Sequence, residues 1–212
     1  MGWKFWTTRK PLTIGDVPHF QHPFCVAWFK QQLTACDLYI EFGSGGSTVL
    51  AAEMGVPTVT VESDAVFLGL VKDKLAERGL LNEARNVYVH KDIGPVGPWG
   101  RPQKPKNPRL FEAFRNYSEL PIASLENETF FVLVDGRFRV ASALKTARLL
   151  AGKKGKLVID DYLGRAEYRV VENFLRLDDL VGPMAVFSLP ESGILRGEVF
   201  EEILRCYELD FR

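Results

Sequence analysis

The sequence predicts a doubly wound α/β domain, a mostly parallel sheet with helices on both faces. Three observations carry that reading. Five short apolar runs of strand length alternate along the chain with segments whose apolar residues recur at helical spacing. The strand runs are apolar through most of their length, as strands buried on both faces are. Three helical segments stop at a glycine, and strand–helix–strand alternation of this kind builds parallel sheets.

The elements follow in order. Residues 1 to 20 contain Pro11, Gly15 and Pro18 and read as an irregular lead-in. In "HPFCVAWFKQQLTAC", residues 22 to 36, Phe24, Val26, Phe29 and Leu33 recur at helical spacing, with Pro23 in the first turn. "DLYIEF" is the first strand, followed by a helix from Ser47 to Met54 stopped at Gly55. "PTVTVES" is the second, followed by a helix from about Asp64 to Arg78 stopped at Gly79, and "NVYVHKD" is the third. The alternation breaks between residues 93 and 128, then resumes with "TFFVLVD" and a helix from about Phe138 to Ala151 stopped at Gly152. "KLVIDD" is the fifth strand, followed by a helix from about Arg165 to Leu175. Beyond Leu177, "DDLVGPMAVFSLP" reads as one strand or as two joined at Gly182-Pro183, and "GEVFEEILRCYELDF" as a closing helix.

A chain of 212 residues, 46% hydrophobic and 25% charged, suits one ordinary domain with a substantial core. The expected organisation is a single domain over residues 1–212. Residues 1–36 form its lead-in and first helix, and residues 93–128 an insertion placed to act as a substrate lid. Lys+Arg and Asp+Glu number 27 each, so net charge gives no reason to expect a nucleic-acid or membrane partner. No window approaches the ~18 continuous apolar residues of a membrane span. The start, "MGWKFWTTRK", lacks a secretory apolar stretch, and Trp6 breaks the myristoylation pattern. Cys25, Cys36 and Cys206 form no C-x-x-C pair and read as small buried hydrophobes of a reducing compartment. The expected location is cytoplasmic.

The most informative stretch is "YIEFGSGGST", residues 39 to 48, between the first strand and the first helix of the alternation. Ligands of such sheets bind at the carboxyl ends of the strands, and glycines there let backbone approach a ligand closely. A P-loop requires Gly-Lys-Ser/Thr, and no lysine follows these glycines. A nucleophile elbow around Ser47 fails because residue 49 is Val49. A nicotinamide dinucleotide site wants Gly or Ala where Thr48 stands.

The pattern that fits is acid-x-Gly-x-Gly-x-Ser/Thr, and on it the chain resembles the class I S-adenosylmethionine-dependent methyltransferases over about residues 36 to 175. The resemblance implies a Rossmann-like methyltransferase fold and assigns Glu41, Gly43, Ser44, Gly45 and Ser47 to the methionine part of the cofactor. It places Glu62, 21 positions after Glu41, on the ribose hydroxyls, and Asp92 near the adenine. Asp135, after the fourth strand, falls beside the site of methyl transfer. A sulfonium and an ammonium suit an acid-lined mouth better than phosphates do.

"VLVDGRFRVASALK" and "VIDDYL" are similar to small bacterial methyltransferase-like proteins of unassigned substrate. They are also similar to the metal-dependent O-methyltransferases related to catechol O-methyltransferase. That likeness implies a divalent cation on Asp135, Asp160 and Asp161, with Asp135 and Asp160 as the catalytic acids. The chain departs from the subgroup at Asp161, where Asn is usual, and at Phe138, where Lys is usual. Arg137 offers a fork for an anionic substrate group, and Arg139 lies beside it. Trp99 and the basic residues Arg101, Lys104, Lys106 and Arg109 make the insertion the expected place of substrate choice, with Phe111, Phe114 and Tyr117 covering a ligand or packing one face of a short helix. The expected activity is methyl transfer from S-adenosylmethionine to oxygen of an anionic or sugar-like small molecule. The alternatives are a protein that binds S-adenosylmethionine or S-adenosylhomocysteine without transfer, and an NAD-binding oxidoreductase.

Overall fold

The computed structural model describes residues 13–20, 22–122, 126–193 and 195–212. The expectations for residues 1 to 12 lie outside them. In chain order the elements are α1 (Pro23–Thr34), β1 (Leu38–Phe42), α2 (Gly46–Glu53), β2 (Thr58–Glu62), α3 (Ala65–Glu77) and β3 (Val87–His90). Then come α4 (Phe111–Tyr117), β4 (Thr129–Val134), α5 (Arg139–Leu149), β5 (Lys154–Ile159), β6 (Leu177–Val181), β7 (Met184–Ser188) and α6 (Glu198–Tyr207). No helix among the described residues is long and apolar enough to cross a membrane.

The strands form one sheet in the order β3-β2-β1-β4-β5-β7-β6. The first five are parallel, and β7 runs antiparallel to both β5 and β6. Every residue of β1 and of β2 is buried. Their side chains alternate between two cores, as a pleated strand requires. Ile40, Phe42, Val132, Val134, Leu157 and Ile159 face the core beneath α4, α5 and α6. Tyr39, Phe131, Leu133, Val158 and Val186 face α1, whose Phe29 ring lies 5.2 Å from that of Phe131 and 5.6 Å from that of Tyr39. Each such buried aromatic contributes about 1.5–3 kcal/mol relative to exposure.

Sequence order reverses between β1 and β4, the switch point at which sheets of this kind open a crevice. The loops leaving these two strands touch through glycine. A Cβ on Gly43 would lie 2.9 Å from the Gly136 nitrogen, and a Cβ on Gly136 would lie 2.9 Å from the Gly43 nitrogen. The floor of the crevice is therefore backbone against backbone.

One segment differs from expectation, and in two others the structure decides between the readings left open. Residues after Gly164 wind as a 3-10 helix, Ala166–Asn173, in place of an α-helix over 165–175. The chain beyond Leu177 makes two strands, turned at Gly182-Pro183. The insertion is divided in role. Its helix α4 buries Phe114 and Tyr117 completely against Phe138, so these two rings belong to the core and not to a cover. Lys145 fastens that half by reaching Glu119 and Glu208, each at 2.6 Å, across α4, α5 and α6. The half before α4 is anchored in the core by Ile93 and otherwise lies largely at the surface, with Trp99 86% exposed.

Gly155 has φ +143°, and a Cβ there would run into the Phe130 carbonyl oxygen of the adjoining strand β4. Gly155→Ala should destabilise the fold by about 1–3 kcal/mol, read as a lower urea midpoint at unchanged slope. A midpoint equal to wild type contradicts this close β4–β5 approach.

Candidate active site

The Glu41 carboxylate lies beneath the glycine junction, wholly buried. Its Oε2 accepts hydrogen bonds from the Tyr39 hydroxyl (2.9 Å) and the Ser47 hydroxyl (2.7 Å), and its Oε1 from the Thr60 hydroxyl (2.8 Å). Tyr39 shares its face of β1, Thr60 pairs with it in register on β2, and Ser47 sits in the first turn of α2. Burial raises the Glu41 pKa, and the surrounding hydroxyls oppose that rise. The Glu41 carboxylate and the Ser47 hydroxyl, both expected to contact the cofactor, bond each other in this arrangement. They hold the junction from below.

The junction is bent by Gly43 (φ +91°) and Gly45 (φ +155°), a conformation that glycine alone adopts without strain. Its N–H groups are committed. Gly43 donates to the Val61 carbonyl (2.8 Å), Ser44 to Glu62 Oε2 (2.8 Å) and Gly45 to the Thr48 hydroxyl (2.9 Å). Three consecutive donors that a phosphate would need are thus already satisfied. A Cβ on Gly45 would meet nothing within 4 Å, so the outer edge of the junction is open.

Glu62 ends β2 and is 7% exposed. Its Oε2 accepts from the Ser44 N–H and hydroxyl (2.9 Å), and its Oε1 from the N–H groups of Ser63 (2.7 Å) and Asp64 (3.0 Å) and from the Ser63 hydroxyl (3.3 Å). The insertion lies over this carboxylate: a Cβ on Gly100 would stand 2.6 Å from the Ser63 hydroxyl and 3.7 Å from Glu62 Oε1. The lead-in crosses the start of α2 so closely that a Cβ on Gly46 would strike the Val17 carbonyl. Lys74 and Arg78 of α3 hold that lead-in through Asp16, at 2.8 and 3.1 Å. Asp92 stands two residues past β3, exposed, and accepts from the Gly94 N–H at 2.8 Å. It caps a turn.

At the other end of the crevice, Asp135, Asp160 and Asp161 each bring a carboxylate oxygen within 4.8 Å of the others. Arg139, 3% exposed, lies among them. Its Nε donates to the Gly136 carbonyl (3.1 Å). One terminal nitrogen donates to the Asp160 carbonyl (2.5 Å) and Asp161 Oδ2 (3.3 Å), the other to the Asp135 carbonyl (3.0 Å) and Oδ1 (2.9 Å). The Tyr168 ring faces this guanidinium at 5.9 Å and that of Arg165 at 5.6 Å. Crowding by protein raises the Asp135 carboxyl to about 7, with Arg139 opposing and Asp160 and Asp161 reinforcing. Its side chain nevertheless keeps 43% of its surface open to water, which moderates the desolvation. Asp160 is buried, its Oδ1 has no partner among the described residues, and burial raises its carboxyl too. Among the described residues, the three non-glycine residues with positive φ are Trp99 (63°), Phe138 (52°) and Asp161 (56°), all on loops at this edge of the sheet. Strain of that kind gathers where a site is preorganised.

No family model matches the chain, and no curated protein matches it. Among solved structures, it is similar to a methyltransferase-like protein from Silicibacter pomeroyi, with a TM-score of 0.77 and 29% identity over 92% of this chain and 100% of that one. The chain has the class I S-adenosylmethionine-dependent methyltransferase fold. Cofactor-bound Rv0187 from MTB shares it at TM-score 0.52 and 15% identity, over 83% of this chain and 84% of that one. A methyltransferase from Geobacter sulfurreducens does so at TM-score 0.51 and 12% identity, over 82% of each chain.

The metal implied by likeness to one branch of this fold does not fit the residues present. Asp135 and Asp161 each give an oxygen to the Arg139 guanidinium, and Arg165 stands 3.8 Å from Asp161. A divalent cation at that point would compete with the fixed positive charge of Arg139 for the same carboxylate oxygens. Among the expected site residues, the fold gathers Gly43, Ser44, Gly45 and Glu62 into one group and Asp135, Asp160 and Asp161 into another. Trp99 is near the first group only through its neighbour Gly100, and its ring is exposed. Sequence reasoning missed Tyr39, Thr60 and Tyr168, and it gave Arg139 no central role. The i, i+4 spacing of Asp135 and Arg139 was the available signal for that pair.

Millimolar Mg²⁺ should leave the thermal midpoint of the protein unchanged, and chelation should do likewise. A dose-dependent rise with Mg²⁺ contradicts the filling of this acid cluster by arginine. A second expectation follows from Asp135. Because its folded pKa lies above its unfolded value, its stabilising contribution is present in acid and is lost as pH rises through about 7. Urea midpoints should therefore fall across that window more in wild type than in Asp135→Asn, and parallel profiles contradict the shift.

Proposed function

We propose that the chain transfers the methyl group of S-adenosylmethionine to an oxygen of a small-molecule acceptor. The observation that carries this reading is the junction at the β1/β4 switch point. Its glycines bend the backbone open, its N–H groups are already committed, and a carboxylate stands at the end of the neighbouring strand. A phosphate-bearing dinucleotide gains little there. A ligand that presents ribose hydroxyls and a cationic amino-acid end suits it, because Glu62 accepts hydroxyl donors and Asp135 adds negative charge at the rim.

S-adenosylmethionine, when bound, supplies a methyl group made electrophilic by its sulfonium. The chain's residues do the rest. Glu62 exchanges the Ser44 hydroxyl for those of the sugar. Asp135, reachable by water and with a pKa raised to about 7, takes the proton of an acceptor hydroxyl as it attacks. Arg139 keeps that carboxyl in place through its Oδ1 and leaves the second oxygen for the acceptor. Alignment and exclusion of water supply most of the acceleration in a displacement of this kind. One observation favours binding without transfer: Arg139 also competes for the charge of the base it positions.

Calorimetry on wild type, Glu62→Gln and Ser44→Ala tests the proposal. Wild type should bind S-adenosylmethionine and S-adenosylhomocysteine in preference to NAD. Glu62→Gln should lose more than about tenfold, or ~1.4 kcal/mol, while Ser44→Ala binds at least as tightly as wild type. Preference for NAD, or unchanged affinity in Glu62→Gln, contradicts it. Binding with no turnover over a panel of hydroxyl acceptors selects the binding protein.

A further inference from the structure

Arg137 and Arg139 leave the same loop, yet their surroundings differ sharply. Arg139 makes five hydrogen bonds to protein acceptors. Arg137 is 7% exposed, and its guanidinium meets no hydrogen-bond acceptor and no carboxylate partner among the described residues. Its backbone is nonetheless fixed: the N–H donates to the Tyr117 hydroxyl (3.2 Å), and the carbonyl accepts from the Ser142 hydroxyl (3.4 Å). The side chain is thus held in a defined place with its Nε enclosed and unpaired. Burial and the like charge of Arg139 both lower its pKa, whereas the Tyr117 and Tyr168 hydroxyls and Asp135 act weakly in the other sense. Asp135 acts on it by charge alone, with its Oδ1 held by Arg139 and no hydrogen bond to the Arg137 guanidinium among the described residues. The Tyr168 hydroxyl in the same neighbourhood is also buried without a partner.

A lone buried guanidinium costs several kcal/mol, and its planar fork of donors matches a carboxylate. We infer that Arg137, assisted by the Tyr168 hydroxyl, is the receptor for a carboxylate of a ligand bound at the β1/β4 crevice. The inference rests on the methyl-transfer reading for the identity of that ligand, and two sources share the chemistry. One is the amino-acid carboxylate of the cofactor, since Arg137 follows Gly136, which touches Gly43. The other is a carboxylate on the acceptor, close to the candidate base Asp135.

Wild type and Arg137→Gln are titrated with S-adenosylhomocysteine and with 5′-methylthioadenosine, which lacks the carboxylate. The S-adenosylhomocysteine-saturated proteins are then heated with and without acetate. A loss of more than about tenfold for S-adenosylhomocysteine, with 5′-methylthioadenosine unaffected, supports the inference and assigns the carboxylate to the cofactor. Unchanged nucleoside affinity with acetate stabilising wild type alone supports it and assigns the carboxylate to the acceptor. Equal nucleoside affinity and equal response to acetate in both proteins overturns it. If neither nucleoside binds wild type, the methyl-transfer reading fails on its own, and acetate against the unliganded proteins decides Arg137 by the same comparison. Unliganded Arg137→Gln should also unfold at a higher urea concentration than wild type, since an unpaired buried charge has gone. Should that variant not fold, Arg137→Lys keeps the charge without the fork and is expected to show the same losses in part.

Discussion

One buried carboxylate organises the carboxyl-terminal edge of the sheet at β1 and β2. Glu41 ties β1, β2 and α2 together by accepting from a hydroxyl of each. Taking a carboxylate out of water is costly, and the cost is offset only when its oxygens are hydrogen-bonded as fully as they are here. With α2 held at that depth, the backbone from Gly43 to Gly45 has one path. That path aims the Ser44 N–H at Glu62 and so brings the end of β2 into the crevice.

The far end of the crevice is organised by charge of the opposite sign. Asp135 and Asp161, which would repel one another, both pair with Arg139, and the main-chain carbonyls of Asp135, Gly136 and Asp160 lock its guanidinium. Phe138 is held in a strained conformation to let this loop turn, and the cost is met by its packing against Phe114 and Tyr117. The insertion therefore has two jobs. Its helix supports the loop from within the core, and its outer turn lies beside Glu62.

Much of the fold was legible in the sequence because buried parallel strands are apolar throughout and their helices end at glycines. "DLYIEF" and "TFFVLVD" announce themselves in this way. The segment after Gly164 was misread because one amphipathic face serves a 3-10 helix as well as an α-helix. Strand-end acids marked one edge of the sheet but not the depth of each side chain. Glu41 belongs to the buried face shared with Tyr39 and Thr60, which the two-residue alternation contains but which needs the β1–β2 register to become visible. Phe114 and Tyr117, three apart, were compatible with a packed helix face or with a ligand cover, and only tertiary contacts separate these. Arg139 acquires its role from backbone carbonyls contributed by two loops, a feature no residue pattern records.

The account stands or falls on where a sulfonium nucleoside lodges. The most direct measurement is a crystal structure with S-adenosylhomocysteine. The account predicts density along the outer edge of Gly45, with both ribose hydroxyls within about 3 Å of Glu62 and the Ser44 hydroxyl turned away. Density at another face of the sheet, or a junction that stays closed on Glu62 while the nucleoside binds elsewhere, would contradict it.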